Sequence, residues 1–239
     1  MSIRLALGLA ILVFLATLLA RFPAKAGVGL LPSTVVCDQP QGTLWRGSCT
    51  HLQTQALTLA DVSWRLHPTA LLHATLSADV SSADPRLSGQ GQVELNRGGV
   101  LVAHALQVHL PLRGGLSQIP PGFDGTIEAD VVSVRLNNGM LDELVGTVRA
   151  LQLHSDLLGE LGSFELRFPE DGSMLGQLRD LSGPIALAGQ VQLTHQNGYT
   201  TSGTLQTRPS ASPQLTQAMQ LIGPPDSEGR RTFSLAGPL

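Results

Sequence analysis

Hydrophobic and polar residues alternate along most of the chain beyond residue 40. The segments 72–80, 100–110, 164–168 and 185–193 place apolar side chains at every second position. This period of two is typical of half-buried antiparallel strands. Turn signals such as Asn137-Asn138-Gly139 and Asn197-Gly198 separate the segments. The pattern predicts an all-β region of about ten or more strands.

Two of these strands change the parity of their apolar positions. The apolar residues are odd-numbered up to Leu59 but even-numbered from Val62, and the same change occurs between Val131 and Val132. A slip of one residue reverses the faces of a strand, so each change predicts a bulge or a bend. Long bulged strands belong to a sheet that curls. We therefore expect a curved antiparallel multi-strand sheet, either half-barrel or sandwich-like.

A single helix is predicted after the strands, near the C-terminus. Pro213 follows Ser212 at the first helical turn, and Gly223 provides a stop. The residues expected on its inner side are Leu215, Met219 and either Leu221 or Ile222. No linker divides residues 27–239, which we interpret as one β-rich domain.

The N-terminal residues 1–26 contain an apolar segment, Leu5 to Ala20, between Arg4 and Arg21. As a helix it would span about 24 Å of a hydrocarbon core of about 30 Å, so it predicts a short transmembrane anchor. Ala24-Lys25-Ala26 also resembles a signal-peptidase site, and a cleaved leader stays open as the alternative. The residues assigned to the membrane are Leu5, Leu7, Ile11, Phe14, Leu18 and Leu19. The rest of the chain is expected to be exported.

Composition and motifs limit the chemistry that the chain can perform. Charged residues make up 14% of the sequence and the net charge is −3, so there is no basic stripe for nucleic acid. The seven histidines lack ligand spacing, and the nucleophile-elbow, phosphate-loop and zinc-protease motifs are absent from the sequence. We predict a protein that is not an enzyme and needs no cofactor, metal or small-molecule ligand.

The two cysteines, Cys37 and Cys49, have eleven residues between them. In an oxidising compartment such a pair would close a disulfide worth about 3 kcal/mol in the loop-entropy model. A disulfide is favoured over free thiols. Zinc ranks last because one cysteine pair does not fill a tetrahedral site.

The segment GTLWRGSC ends at the second cysteine. Gly42 and Gly47 permit close backbone approach around a short strand. Trp45 would supply buried area and Arg46 would point to the opposite face. Trp64 belongs to a second Trp-Arg pair, so we expect the two tryptophans to stack across paired strands. A sheet corner is favoured over a Trp-Arg ligand clamp.

The order of motifs, more than any single one, resembles a known family. After the apolar segment come GTLWRGSC, LADVSWRLHPTALL, GSFELRF, LSGPIALAGQVQLT and LTQAMQLIGPPDSEGRRTFSLAGPL. This series is similar to protein N of the bacterial type II secretion system. The most specific parts are the G-T-L-W-x-G and V-x-W-R-L-x-P segments, and their defining residues are Gly42, Trp45, Gly47, Trp64, Arg65 and Pro68.

The resemblance implies a single-pass protein of the bacterial inner membrane with its main β-rich domain in the periplasm. It favours retention of the apolar segment as an anchor over cleavage. It implies an accessory role in the secretion apparatus, with other type II secretion proteins as partners and membrane lipid contacted through the anchor. The alternative from the pattern itself is a membrane-anchored protein that binds or transfers lipid on a curled apolar sheet.

Overall fold

A computed structural model describes residues 13–14, 17–18, 20–28, 36–53, 58–113, 122–194 and 198–238. The chain divides into two compact units, Met1–Asp84 and Pro85–Leu239. Within the described ranges, no helix combines the length and the apolar character that crossing a membrane requires. Of the residues assigned to the anchor, Leu5, Leu7, Ile11 and Leu19 lie outside the described residues, and Phe14 and Leu18 are exposed.

The first unit is a small antiparallel sheet stabilised by a compact core. Its elements are helix α1 (Ala24–Val28), strands β1 (Val36–Asp38), β2 (Gln41–Gly42), β3 (Arg46–Gln53) and β4 (Thr58–Leu66), the 3-10 helix η1 (Pro68–His73) and strand β5 (Thr75–Asp84). Strands β1, β3, β4 and β5 are neighbours in that order, and β2 pairs with β3. Cys37, Cys49 and Val62 form the buried centre, with Trp64 and Val80 packed against it.

The second unit is a meander in which each strand pairs with its neighbours in sequence. Its elements are β6 (Leu87–Asn96), β7 (Val100–Pro111), β8 (Phe123–Asn137), β9 (Met140–Ser155), β10 (Gly159–Phe168), β11 (Leu175–Ser182), β12 (Ile185–Thr194), β13 (Gly198–Thr207), helix α2 (Pro213–Met219), the 3-10 helix η2 (Gln220–Ile222) and β14 (Arg231–Pro238). The core lies where Leu141, Phe168, Met174, Val191 and Leu193 meet.

The predicted all-β, curved antiparallel architecture with one short C-terminal helix is confirmed. Both predicted irregularities are present. The β8–β9 register shifts between Val131 and Ser133. In β4, Asp61 has a φ of 49°. Its neighbours Ala60 and Val62 pair with residues of β3, whereas Asp61 has no partner in that register. Each irregularity lies where the apolar parity changes. In β8 the extra residue Val132 turns the next side chain to the other face. In β4 the register with β3 is the same before and after Asp61, so the irregularity there is a local bend at its positive φ.

Helix α2 begins as the sequence predicted and ends sooner. The Ser212 hydroxyl caps it by accepting a hydrogen bond from the Leu215 N–H at 3.1 Å. Leu215 and Met219 are buried as expected. The prediction that Leu221 or Ile222 would also face inward was wrong, since Leu221 is 89% exposed and Ile222 is also exposed. The chain changes after Met219 to a 3-10 turn, whose three residues per turn rotate these two side chains off the inner face.

Candidate functional site

The Gly-Trp motif forms a tight corner of the first unit. Gly47 pairs with Trp64, and a Cβ placed on Gly47 would lie 2.5 Å from Cζ2 of the indole ring. The Trp64 Nε1–H donates to the Leu44 carbonyl oxygen at 3.0 Å. Gly42 has a φ of +84°, and a Cβ there would meet the Arg46 carbonyl oxygen at 2.5 Å. The corner therefore requires glycine at both positions.

The remaining motif residues gather at this same end of the sheet. The register places Trp64 opposite Gly47, whereas the Trp45 carbonyl oxygen accepts a hydrogen bond from the Leu66 N–H at 2.8 Å. Arg65 is exposed. Pro68 begins η1, because the fixed φ of proline suits a first helical position. Its side chain is exposed.

The segment that follows the apolar N-terminus is bonded to the corner. The Leu44 N–H donates to the Phe22 carbonyl oxygen at 2.8 Å, and Pro23 bridges to Thr43. Helix α1 packs close by, since a Cβ on Gly27 would come within 2.5 Å of a Leu44 methyl group. The chain that leaves residues 5–20 is thus fixed at this end of the first unit.

The structure pairs Cys37 with Cys49 in the predicted disulfide, with their Cα atoms 5.7 Å apart. Cys49 is only 2% exposed and lies in the core of the first unit. The bridge ties the three-residue strand β1 to β3. In the part of the chain that the structure describes, no group of three or more histidine, cysteine or carboxylate side chains could hold a metal ion.

A row of alternating basic and acidic side chains crosses strands β7 to β11 in the second unit. The strand registers place His109, Glu128, Arg149, Glu165 and Arg179 side by side in that order. The Glu165 carboxylate is 6% exposed and accepts hydrogen bonds from Arg149 Nε at 3.0 Å and Arg179 Nη2 at 2.6 Å. Two half-exposed arginines therefore cover one buried acid.

The electrostatics of this row are those of a structural ion pair. Burial alone would raise the pKa of Glu165, but the hydrogen bonds and positive charges of Arg179 and Arg149 outweigh it and hold the pKa below 4.5. Asp180 behaves alike: burial acts to raise its pKa, while the Leu187 N–H and the Arg208 guanidinium hold it low. These acids stay charged at neutral pH, which does not suit a general acid.

Sequence reasoning missed both ion pairs. Their members are 14 to 28 residues apart and meet only through the strand register. For Glu165 the available signal was a charged residue within each of the neighbouring strands β9, β10 and β11, at positions that the alternation assigns to the polar face. Arg208 lies just beyond β13 and offered no such signal.

Several glycines lie opposite an aromatic residue of the next strand. In these pairs a Cβ on the glycine would come within 2.5 to 3.2 Å of the ring. The ring covers the backbone that glycine leaves bare, which compensates for the weak strand propensity of glycine. The pairs include Gly47 with Trp64, Gly203 with Phe233 and Gly237 with Tyr199.

Strand β14 ends the strand order of the second unit. It pairs with β13 through eight consecutive residues, and no register shift interrupts the pairing. Leu235 is 62% exposed, and Ser234 and Ala236 beside it are exposed as well. Between Thr232 and Pro238 the strand carries no charged side chain.

These features define an all-β protein in which a glycine- and tryptophan-rich corner, a disulfide and cross-strand ion pairs support the sheets. The family model described as type II secretion system (T2SS), protein N matches residues 33–234. The chain therefore belongs to the type II secretion system protein N family. This is a family of secretion-machinery components rather than of enzymes.

Curated relatives match over most of their length. Type II secretion system protein N of Aeromonas hydrophila is 26% identical, with 93% of each chain covered. The protein of the same name from Vibrio cholerae serotype O1 is 24% identical over 95% of each chain. The one from Pectobacterium carotovorum is 22% identical, over 87% of this chain and 86% of the relative. No solved structure gives a significant match.

Proposed function

We propose that this chain is a non-enzymatic accessory component of a type II secretion apparatus. Residues 5–20 anchor it in the bacterial inner membrane as a single pass, and residues 27–239 lie in the periplasm. Family membership supports the role. The apolar segment between two arginines supports the anchor. The disulfide supports an oxidising compartment, where such bonds form and persist.

The docking surface that we assign is the edge of β14 that faces away from β13, with which no strand in the described part of the chain pairs. In an antiparallel pair, residues alternate between bonding the neighbouring strand and pointing their N–H and C=O groups to the other side. About half of the eight residues of β14 therefore offer backbone groups away from β13. An extended chain can replace the water on these groups with a ladder of backbone hydrogen bonds, so a β-strand of another secretion component is the partner that fits.

The composition of β14 supports this assignment. Edge strands that must not pair usually carry a charge within the strand, a bulge or a very short length. This strand is regular for eight residues and has its only charge, Arg231, at its first position. Its proline, Pro238, is at the last position and leaves the edge between them open.

The test is photo-crosslinking of the full chain in secreting cells. A benzoylphenylalanine at Ser234, on the edge strand, should capture a discrete protein partner. The same probe at Gln177, an exposed position on β11 between two paired strands, is the matched control. The variant Ser234→Lys should lower both the secretion yield and the adduct formed by a probe at Thr232, because a lysine on the edge opposes strand addition.

Two outcomes would contradict the proposal. Equal capture at Ser234 and Gln177 would rule out the edge as the docking surface. Capture of phospholipid or lipopolysaccharide in place of protein along the second unit would favour the alternative function, which is lipid binding or transfer.

A further inference from the structure

We propose that the end of the first unit that carries η1 binds the surface of the inner membrane. In this arrangement Leu71 and Leu72 enter the boundary between headgroups and acyl chains, and nearby arginines bind lipid phosphates. The inference rests on the proposed anchor for its choice of membrane. It adds a second lipid contact, made by the folded domain itself.

The chain path places η1 beside the exit of the apolar segment. Phe22, just after that segment, accepts a hydrogen bond from Leu44. The adjoining Trp45 accepts one from Leu66, the last residue of β4. Helix η1 begins two residues later, at Pro68. Two hydrogen bonds and one strand end thus connect the proposed anchor to η1, all within the first unit.

The apolar residues of this end are exposed and have no core to join. None of the residues of η1 is buried. Leu72 is 84% exposed, and Leu71 and Leu76 are each about half exposed. A short protrusion with adjacent exposed leucines is costly in water, at about 25 cal/mol per Å² of apolar surface, and is favourable at a lipid boundary.

Basic side chains lie at the same end of the first unit as the protrusion. Arg46 and Arg65 are direct cross-strand partners and both are exposed. Like charges placed opposite one another destabilise a sheet, so folding alone does not favour this pair. Arg21 and Lys25 are exposed on the connecting segment. Anionic lipid phosphates would neutralise all four charges, which gives the apolar tip the basic rim that interfacial membrane sites carry.

An acidic residue is present at this end and does not cancel the rim. Asp79 pairs in register with Arg65, and its carboxylate lies 3.0 Å from Nε2 of His67. The four basic residues and this one acid together carry a net charge of +3. The surface is therefore suited to a lipid bilayer that contains anionic lipids.

The experiment uses the full chain in cells, with benzoylphenylalanine at Leu72 and, as a matched control, at Leu157. Both leucines are largely exposed, but Leu157 lies in the second unit. Ultraviolet irradiation followed by mass spectrometry of the adducts identifies what each probe touches. We expect phospholipid on the Leu72 probe and little or none on the Leu157 probe.

A charge test accompanies it. With the probe at Leu72, the double variant Arg46→Gln, Arg65→Gln should give at least about fivefold less phospholipid adduct, since one basic residue near an anionic surface is worth that factor. Arg167→Gln is the control, because Arg167 is an exposed strand arginine of the second unit. Unchanged lipid capture in the double variant would overturn the role of the arginines.

Alkaline washing of the membranes separates this inference from the proposed anchor. If the chain resists the wash but Leu72 captures no lipid, the anchor stands and the membrane-contact site is wrong. If the chain washes off but Leu72 captures lipid beforehand, the site stands and the anchor is wrong. Capture of a protein at Leu72 in place of lipid would overturn the site in favour of protein docking.

Discussion

Removal of the disulfide should destabilise the first unit by a predictable amount. The bridge joins residues separated by 12 positions, so in the loop-entropy model it contributes about 3 kcal/mol. Replacement of both cysteines by serine should cost more. Cys49 is almost fully buried, and a hydroxyl without a good partner adds about 1 to 3 kcal/mol. Reduced wild-type protein keeps its sulfur atoms and therefore isolates the effect of the cross-link.

The assay is urea unfolding of the full chain in mild detergent, followed by tryptophan fluorescence. Both tryptophans, Trp45 and Trp64, belong to the first unit, so this signal reports that unit alone. For a slope of about 1 kcal/mol per molar urea, loss of 3 kcal/mol moves the midpoint down by roughly 3 M. The reduced wild type should show this shift, and the double serine variant should show a larger one.

The reasoning fails if oxidised wild type, reduced wild type and the serine variant unfold at the same midpoint. That result would mean that the three-residue strand β1 is held by its pairing with β3 and contributes nothing through the cross-link. A lower midpoint for the serine variant alone would assign the whole effect to the buried hydroxyl.

Three further changes concern the second unit, and far-ultraviolet circular dichroism during urea unfolding measures each. Glu165→Gln should cost about 2 kcal/mol at neutral pH, because two arginines lose a buried charged acceptor. The pKa of Glu165 in the folded protein lies below the ordinary 4.5. The carboxylate therefore contributes fully to the free energy of unfolding above pH 4.5, and this contribution is lost as the pH falls through the folded pKa. The variant should lack this loss of stability in acid. Gly203→Ala should cost about 1 to 3 kcal/mol, since its Cβ would lie 2.4 Å from the Ala188 carbonyl oxygen. Ser212→Ala should cost about 1 kcal/mol through loss of the cap on the Leu215 N–H.

Each of these changes has a matched control. Glu143→Gln removes a more exposed ion pair and should cost less than about 1 kcal/mol. Gly98→Ala introduces a Cβ whose nearest neighbour, at 3.3 Å, is the side-chain oxygen of Asn96, with no backbone atom within 4 Å beyond those of its chain neighbours. Thr216→Val removes a hydroxyl that donates to a backbone oxygen and caps no N–H. A control that costs as much as its test variant would contradict the corresponding argument.

The sequence predicted those parts of the fold that depend on near neighbours. Alternation along one strand identified the sheet, and the parity change between Val131 and Val132 located a bulge, because both effects act over a few residues. Ser212 and Pro213 located the start of α2 for the same reason. The early end of that helix was missed, since the change to a 3-10 turn does not alter its apolar spacing.

Cross-strand partners were out of reach of the same reasoning. Glu165 meets Arg149 and Arg179 only when turn lengths and bulges on three strands are all known. Trp64 was expected to stack on Trp45, which stays a prediction, and its register partner Gly47 was not foreseen. A change of one residue in register alters every such pair, so pattern alone does not identify them.

The second unit places its strands in space in the order in which the chain supplies them. Most new strands therefore close a short loop against one that is already formed, and even β14, which follows α2 and η2, pairs with the strand that precedes it in the chain. Such a topology has low contact order and favours rapid folding. The sheet can grow hairpin by hairpin from whichever end of the unit emerges first, with one unpaired edge exposed at the growing side. A chain released gradually into a new compartment would thus fold at the pace of its release.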